Sequence, residues 1–484
     1  MIRLLIEKEI YEYDLYAYAS SFFPEKELKP VIGEDIAAVN DSIVYREDDA
    51  SIFLGFYGGE ELLSDASFEK KKEEEDAEEL KFVRRLFIYE CFADYTKKKL
   101  PWGALTGVRP AKLVTKLLDE DTAPELIPGI LNEKYRVSQE KSELALSIAR
   151  TEKEILMPFK DRNVCSIYIG IPFCPSTCLY CSFTSYPVKA FENRLDAYLE
   201  ALAKELKALP EFLNGSTPCT VYVGGGTPTA LDAGRLSILL DNIRDAVDIN
   251  GLSEFTVEAG RPDSLDLKKL SVLKEAGVGR ISVNPQTFKE ETLKLIGRRH
   301  SAADVERAFY EAREAGFDNI NMDMILGLPG ESVYDIQKSF EEVKRYAPDS
   351  LTAHALSIKR ASRMKKWVAE HGAVSGIDAY AAMEAAYEAA EYLSMKPYYI
   401  YRQKTQAGAL ENTGFAKEGK YGFYNIFTME ESQSIIALGA GTVSKRVYKD
   451  GSGRIERCDT HKDVDLYIRD IDAMIDRKRL LFEE

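Results

Sequence analysis

At 484 residues the chain is too long for one ordinary hydrophobic core, and two or three domains are expected. Its 45% apolar and 30% charged residues describe a globular protein and exclude a disordered or fibrous one. The net charge of −16 argues against nucleic acid or an anionic membrane as the main partner, and no apolar run approaches the roughly 20 residues that span a bilayer.

The N-terminus, "MIRLLIEKEIYEYDLY", has charges inside its apolar stretch and no small-residue cleavage site, so it does not read as a signal peptide, and a cytoplasmic location is expected. Ser51 to Tyr57 reads as a short strand ending at Gly58-Gly59. A charge run beginning near Lys70 then opens an amphipathic helix carrying Leu80, Val83, Leu86 and Phe87. "LPWGALTGVRPAKLV" (Leu100 to Val114) reads as a shaped loop before another helix. Residues 1–155 together are expected to form an α+β domain whose chemistry the sequence does not disclose.

From about residue 160 the pattern changes. Short β-rich runs recur at Ser166–Ile169, Thr220–Val223, Phe255–Glu258, Arg280–Val283, Ile320–Met324 and Leu351–Ala355, with helical stretches such as "NRLDAYLEALAKELKALPEFL" between them. This alternation produces βα units and a parallel sheet. Six units with polar residues at the strand ends favour a partial (β/α)6 barrel of the TIM type over 160–395. After 395 the text turns irregular, with an apolar strand broken by Gly439 and Gly441 and a charged amphipathic helix at the end.

The chemistry concentrates in "YIGIPFCPSTCLYCSF" (Tyr168 to Phe183). Cys174, Cys178 and Cys181 are spaced C-x3-C-x2-C, directly after the first barrel strand. Structural zinc wants four ligands, usually as two pairs; here there is one compact set, and His300, His354, His371 and His461 lie far downstream. Three thiolates suit a [4Fe–4S] cluster that leaves one iron for a small chelating molecule, placed where barrel enzymes work. Cys91, Cys165, Cys219 and Cys458 are isolated and read as buried small apolar residues, which argues against a second cluster.

The three-cysteine motif resembles that of the radical S-adenosylmethionine (SAM) superfamily. "VGGGTPT", "RISVNPQTF…LIGRRH" and "NINMDMILGLPGE" narrow the resemblance to the oxygen-independent coproporphyrinogen III oxidase (dehydrogenase) family, in its HemZ-like branch with a long N-terminal region. The resemblance covers roughly residues 160–445 and implies the following. The cofactors are a [4Fe–4S] cluster on Cys174, Cys178 and Cys181, and SAM. Tyr168, Tyr180, Gly225, Gly226, Thr227, Glu258, Gln286, Arg298 and Asp323 match SAM-contacting positions. Residues 396–484 form a coproporphyrinogen-oxidase-like C-terminal region. The partners are a tetrapyrrole substrate and an electron donor such as flavodoxin or ferredoxin.

Family members convert two propionates of coproporphyrinogen III to vinyl groups, and a tetra-anionic substrate needs cations; Arg298, Arg299, Lys359, Arg360, Arg402 and Lys404 are candidates. Two positions depart from the best-known members. Phe183 stands in place of a fourth cysteine, and Gly170 in place of a histidine. The haem chaperones of the same family, which often carry an aromatic residue at the first of these positions, and anaerobic haem-methylating, ring-opening enzymes are the alternatives.

Overall fold

The computed structural model describes the chain except residues 25, 34–40, 71–76, 106, 108, 360–361, 373–377, 403–410 and 484; Arg360 and Lys404 therefore lie outside the described residues. It resolves into two compact units, Met1–Ala149 with Tyr401–Glu411, and Arg150–Ile400 with Asn412–Glu484. Among the described residues no helix is long and apolar enough to cross a membrane.

The first unit is built on a five-stranded sheet in the order Leu28–Ile32, Ile2–Ile6, Ser42–Glu47, Ser51–Gly58, Glu61–Glu69. Leu4, Ile6, Leu15, Phe22, Tyr45, Leu54 and Phe92 form its core with the helices Glu12–Phe22 and Ala77–Thr96. The Trp-containing loop is shaped by two demands. Trp102 is fully buried and donates its indole N–H to Glu411 (2.8 Å), a carboxylate that also pairs with Lys141. Gly103 has φ +53, and a Cβ there would lie 2.1 Å from the Tyr135 carbonyl oxygen, so only glycine fits the turn.

The second unit holds an eleven-stranded sheet. Its centre is six parallel strands in sequence order: β1 (Val164–Ile171), β2 (Thr217–Gly225), β3 (Glu254–Glu258), β4 (Arg280–Ser282), β5 (Ile320–Leu326) and β6 (Ser350–Ala355). Helices follow them, among them Leu195–Lys207, Ala233–Ala246, Leu267–Glu275, Ala302–Glu314 and Val333–Tyr346, as right-handed βα crossovers require. The last two open on Ser301 and Ser332, each closing a capping box with the aspartate three residues on.

The segment after Met395 carries more regular structure than its composition suggested. Glu411–Ala416 (β8) pairs antiparallel with β6 and Lys396–Arg402 (β7) lies beyond it, while Ser434–Leu438 (β9) lies parallel to β1 and continues into Val443–Val447 (β10) and Ile455–Asp459 (β11). Partnership with an existing sheet edge stabilises strands whose own text, rich in glycine and lysine, has no alternating pattern. The run Ile435 to Val447 is two strands joined by a turn at Gly439 (φ +100) and Gly441 (φ +72).

Along the six central strands, alternate residues divide by chemistry. Ile167, Ile169, Val221, Val223, Val257, Ile281, Met322 and Leu351 are buried on one face. The opposite face carries Ser166 and Tyr168, Thr220 and Tyr222, Thr256 and Glu258, Asn321 and Asp323, Thr352 and His354. Barrels are ordinarily filled by branched apolar side chains. A polar face here is a chamber lining, and its members bond one another: Ser166 to Thr220 (2.7 Å), Arg280 to Ser350 (2.9 Å), Thr352 to Asn321 (3.3 Å).

Candidate functional site

The cysteine loop leaves β1 and is closed at its base by a two-residue parallel pairing of Phe173-Cys174 with Tyr186-Pro187. It is pinned further along by backbone bonds from Leu179 N to Ile296 O and from Met364 N to Leu179 O, both 2.9 Å. Burial pushes the Cys174 thiol up to about 11, against the pull of the Thr227 hydroxyl and with the charges of Cys178 and Cys181 adding to it. Each sulfur has a polar neighbour: Thr227 Oγ1 donates to Cys174 (3.4 Å), Arg261 Nη1 to Cys178 (3.7 Å), and Ser185 Oγ lies 3.9 Å from Cys181. Among the described residues no three His, Cys, Asp or Glu side chains converge on a single cation. Three thiolates on one loop suit a cluster of several irons that leaves one iron open.

The glycine turn after β2 sits against the root of this loop. Gly226 N donates to Ile171 O (2.8 Å) and Thr227 N to Phe173 O (2.7 Å). A Cβ on Gly226 would lie 2.7 Å from Phe173 O, so this glycine is required by protein packing whether or not a ligand is near. Gly225, at φ +101, has the conformation that glycine alone adopts without strain.

Glu258, at the end of β3, accepts from Tyr222 Oη (2.6 Å). Burial pushes its carboxyl up to about 7; the Tyr222 bond opposes this and the Asp323 charge adds to it. Asp323 accepts from Asn321 Nδ2 (2.7 Å), and His354 Nε2 lies 3.9 Å from it. Gln286 holds the left-handed conformation (φ +69), with its N–H on Asp323 O and its carbonyl accepting from Ile325 N, 2.9 Å each. A non-glycine residue held there by bonds on both sides is backbone strain of the kind found at ligand sites.

Arg298 is 7% exposed, donates to the carbonyls of Asn284 and Gly260, and has no partner for its buried Nε. Burial works against its charge, and the neighbouring Tyr180 and Cys178 outweigh that effect. Tyr168 and Tyr222 are register partners on β1 and β2, with rings stacked at 6.0 Å. Of the expected SAM-contacting residues, Gly225 and Glu258 end β2 and β3, Gly226 and Thr227 follow β2, Gln286 and Arg298 follow β4, and Tyr168 and Asp323 lie within β1 and β5.

Of the cations expected to meet substrate carboxylates, Arg298 and Arg299 line one cavity. Arg402 belongs to the first unit, over the Trp102 ring at 5.6 Å. Arg299 is exposed, beside Lys294. Lys359 stands 5.9 Å from the ring of Phe183, itself 71% exposed. The Gly170 departure has a packing counterpart: a Cβ there would lie 2.5 Å from Thr442 Cγ2, so a histidine does not fit beside β9 as the chain is built.

Sequence reading missed three residues. Arg261, 2% exposed, spans the Cys178 thiol, the Ser176 carbonyl (3.1 Å) and a two-pronged bond to Asp263. Its signal was "EAGRPD", three residues past Glu258, where a charged residue inside a strand-to-helix connection calls for a partner. Tyr424 completes the aromatic stack 4.5 Å from Tyr222, and His354 faces Asp323. Tyr424 comes from a helix far along the chain and left no local signal.

The radical SAM superfamily model matches residues 168–343. The oxygen-independent coproporphyrinogen-III oxidase-like protein HemZ of Bacillus subtilis is 37% identical over 387 residues, covering 79% of this chain and 77% of that one. The heme chaperone HemW of the same organism is 38% identical over 195 residues, 40% of this chain and 51% of that one. The solved structure of Escherichia coli coproporphyrinogen III oxidase (HemN), a radical SAM enzyme, shares the fold at TM-score 0.52 and 19% identity, covering 68% of this chain and 73% of that one. The cofactors are a [4Fe–4S] cluster and SAM, and the three thiols with hydrogen-bond donors on their sulfurs fit the former. This chain belongs to the radical SAM superfamily and, within it, to the oxygen-independent coproporphyrinogen III oxidase-like family, in its HemZ branch.

Proposed function

We propose that this chain is an oxygen-independent coproporphyrinogen III dehydrogenase, with the cluster held by Cys174, Cys178 and Cys181. The observation that carries this is the set of three thiols on the loop that leaves the first strand of a polar-faced partial barrel, in a chain akin to HemZ. When bound, cluster and SAM supply a hydrogen-abstracting radical. Each propionate-to-vinyl conversion removes one hydrogen atom, one electron and CO2, so an electron acceptor is also consumed.

The chain's own residues bind and orient. Arg261 and Thr227 donate toward sulfur and offset thiolate charge in a buried setting. Tyr168, Tyr180, Gly225, Gly226, Thr227, Glu258, Gln286, Arg298 and Asp323 line the SAM-binding region. Glu258 and Asp323 supply acceptors for hydroxyl and ammonium groups, and Arg298 a cation for a carboxylate. The stacked Tyr168, Tyr222 and Tyr424 hold the Glu258 carboxyl in place through Tyr222 Oη.

A second reading is a haem-binding chaperone. It is favoured by the HemW similarity and by Phe183, an exposed aromatic with Lys359 over its ring where a tetrapyrrole face and a propionate could be met. An anaerobic assay with reconstituted protein, reductant, SAM and coproporphyrinogen III, read by mass spectrometry, separates the two. Protoporphyrinogen IX with 5′-deoxyadenosine establishes the dehydrogenase. Stoichiometric haem binding with no decarboxylated product establishes the chaperone.

A further inference from the structure

The cysteine loop also has an outward side. Pro175, Ser176 and Thr177, the three residues between Cys174 and Cys178, line an open cavity of about 690 Å³. Lys294, Arg298, Arg299 and Arg363 line it too, against a single carboxylate, Glu290, in a chain whose net charge is −16. His300 adds no charge, because burial drops its pKa to about 3. Arg363 is tied to the loop itself, donating to the Thr177 carbonyl.

Two half-buried arginines of this unit meet acids: Arg235 pairs with Asp196, Glu192 and Asp232, and Arg479 with Glu211 and Asp476. Lys294 and Arg299 are exposed and, among the described residues, have no ion pair. Unpaired like charges at one place cost stability through mutual repulsion, and a partner that supplies the opposite charge reverses that cost.

We propose that this cationic rim is the docking surface for the one-electron donor, a protein with an acidic face. The inference rests on the reading that the three thiols hold the cluster. A partner seated on the rim meets Pro175, Ser176 and Thr177, the residues between Cys174 and Cys178. One electron leaves the reduced donor and one enters the cluster; no bond is made or broken. A site built for a small anion would close buried donors around it, whereas Lys294, Arg299 and Arg363 are all exposed, the arrangement that steers a macromolecular encounter.

The test uses the full reconstituted chain and the variants Lys294→Glu/Arg299→Glu and Glu290→Lys. Binding of oxidised flavodoxin is measured by calorimetry. Reduction by flavodoxin hydroquinone is followed by stopped-flow loss of the cluster's visible absorbance, at several salt concentrations. The double variant should lose on the order of tenfold in affinity and in second-order rate, with a flattened salt dependence. Glu290→Lys should gain in both. Reduction by a photoreduced deazaflavin, which needs no docking face, should be the same in all three proteins.

Equal affinity and equal salt slopes across the three overturn the proposal. Calorimetric binding of inorganic phosphate at the rim, lost in the double variant, with no binding of flavodoxin, also overturns it. A protein that acquires no visible absorbance on reconstitution fails at the cluster reading, before any donor is added, and the docking proposal falls with it.

Discussion

Two buried carboxylates of the barrel unit make an instructive pair. Glu205, on the helix Leu195–Lys207, is fully enclosed and fully answered: it accepts from Lys478 Nζ, from Tyr467 Oη and from Gly439 N (2.8 Å). Glu258, at the mouth, has Tyr222 Oη as its side-chain donor and, among the described residues, no ion pair; burial, with the Asp323 charge adding to it, raises its pKa to about 7. A carboxylate closed off with its own cation ties elements together. One buried without a cation is poised for a ligand that brings donors. The same contrast holds among arginines, between Arg235 with its three acids and Arg298 with an orphaned Nε.

The largest effect should come at the thiols. Cys178→Ala should abolish the brown colour and SAM cleavage while leaving the circular dichroism spectrum intact, since a small buried side chain is exchanged for a smaller one. A full four-iron complement in the variant would contradict the assignment. Next is the closed pair. Lys478→Met strands Glu205 in an apolar setting, and unfolding in denaturant should show a loss of about 3–5 kcal/mol. Adding Glu205→Gln to that variant should restore a large part of it, because the uncompensated charge is then gone. If the double variant is no more stable than the single, the pair is not the closed unit described above.

The open carboxylate has the smaller, pH-dependent effect. Its folded pKa, about 7, exceeds the ordinary value near 4.5, so the folded state binds the proton more tightly. Its contribution to stability is therefore complete below about pH 4.5 and is lost as the pH rises through 7. Glu258→Gln should remove that slope, on the order of 2 kcal/mol across the window, from the apo protein. Glu331 has the same sign and the same value, so Glu331→Gln should remove a further part of the slope. Parallel pH–stability curves for native and Glu258→Gln proteins would place this carboxylate with Glu205, among the answered ones.

The sequence made some of this visible and hid the rest for physical reasons. The six central strands were legible because each is a short β-rich run bounded by helix text. The cysteines were legible because three thiols within eight residues have few uses. The polar barrel face was present in "SIYI", "TVYV" and "NMDM" as strict alternation, which single-residue reading at the strand ends passes over. Arg261 and Tyr424 act through contacts made only by the fold, 83 residues from Cys178 in one case and across the stack with Tyr222 in the other. Strands β7 to β11 form because the sheet offers them edges, a property of the neighbour and not of their own residues.

Phe183 carries the contrast from charge to apolar surface and gives the smallest effect on the fold. At 71% exposure, with the Lys359 head 5.9 Å from its ring, it buries little area. Phe183→Ala should shift unfolding by no more than about 0.5 kcal/mol, the ordinary range for surface substitutions. A large aromatic left in water at the mouth is the apolar counterpart of an unanswered carboxylate, and a tetrapyrrole face is what would cover it. The variant should therefore weaken haem or porphyrinogen binding roughly five- to tenfold in an absorbance titration, the loss of one aromatic contact of about 1 kcal/mol or slightly more. An unchanged titration together with unchanged stability would remove Phe183 from the site and leave the tetrapyrrole to be met by the polar barrel face alone.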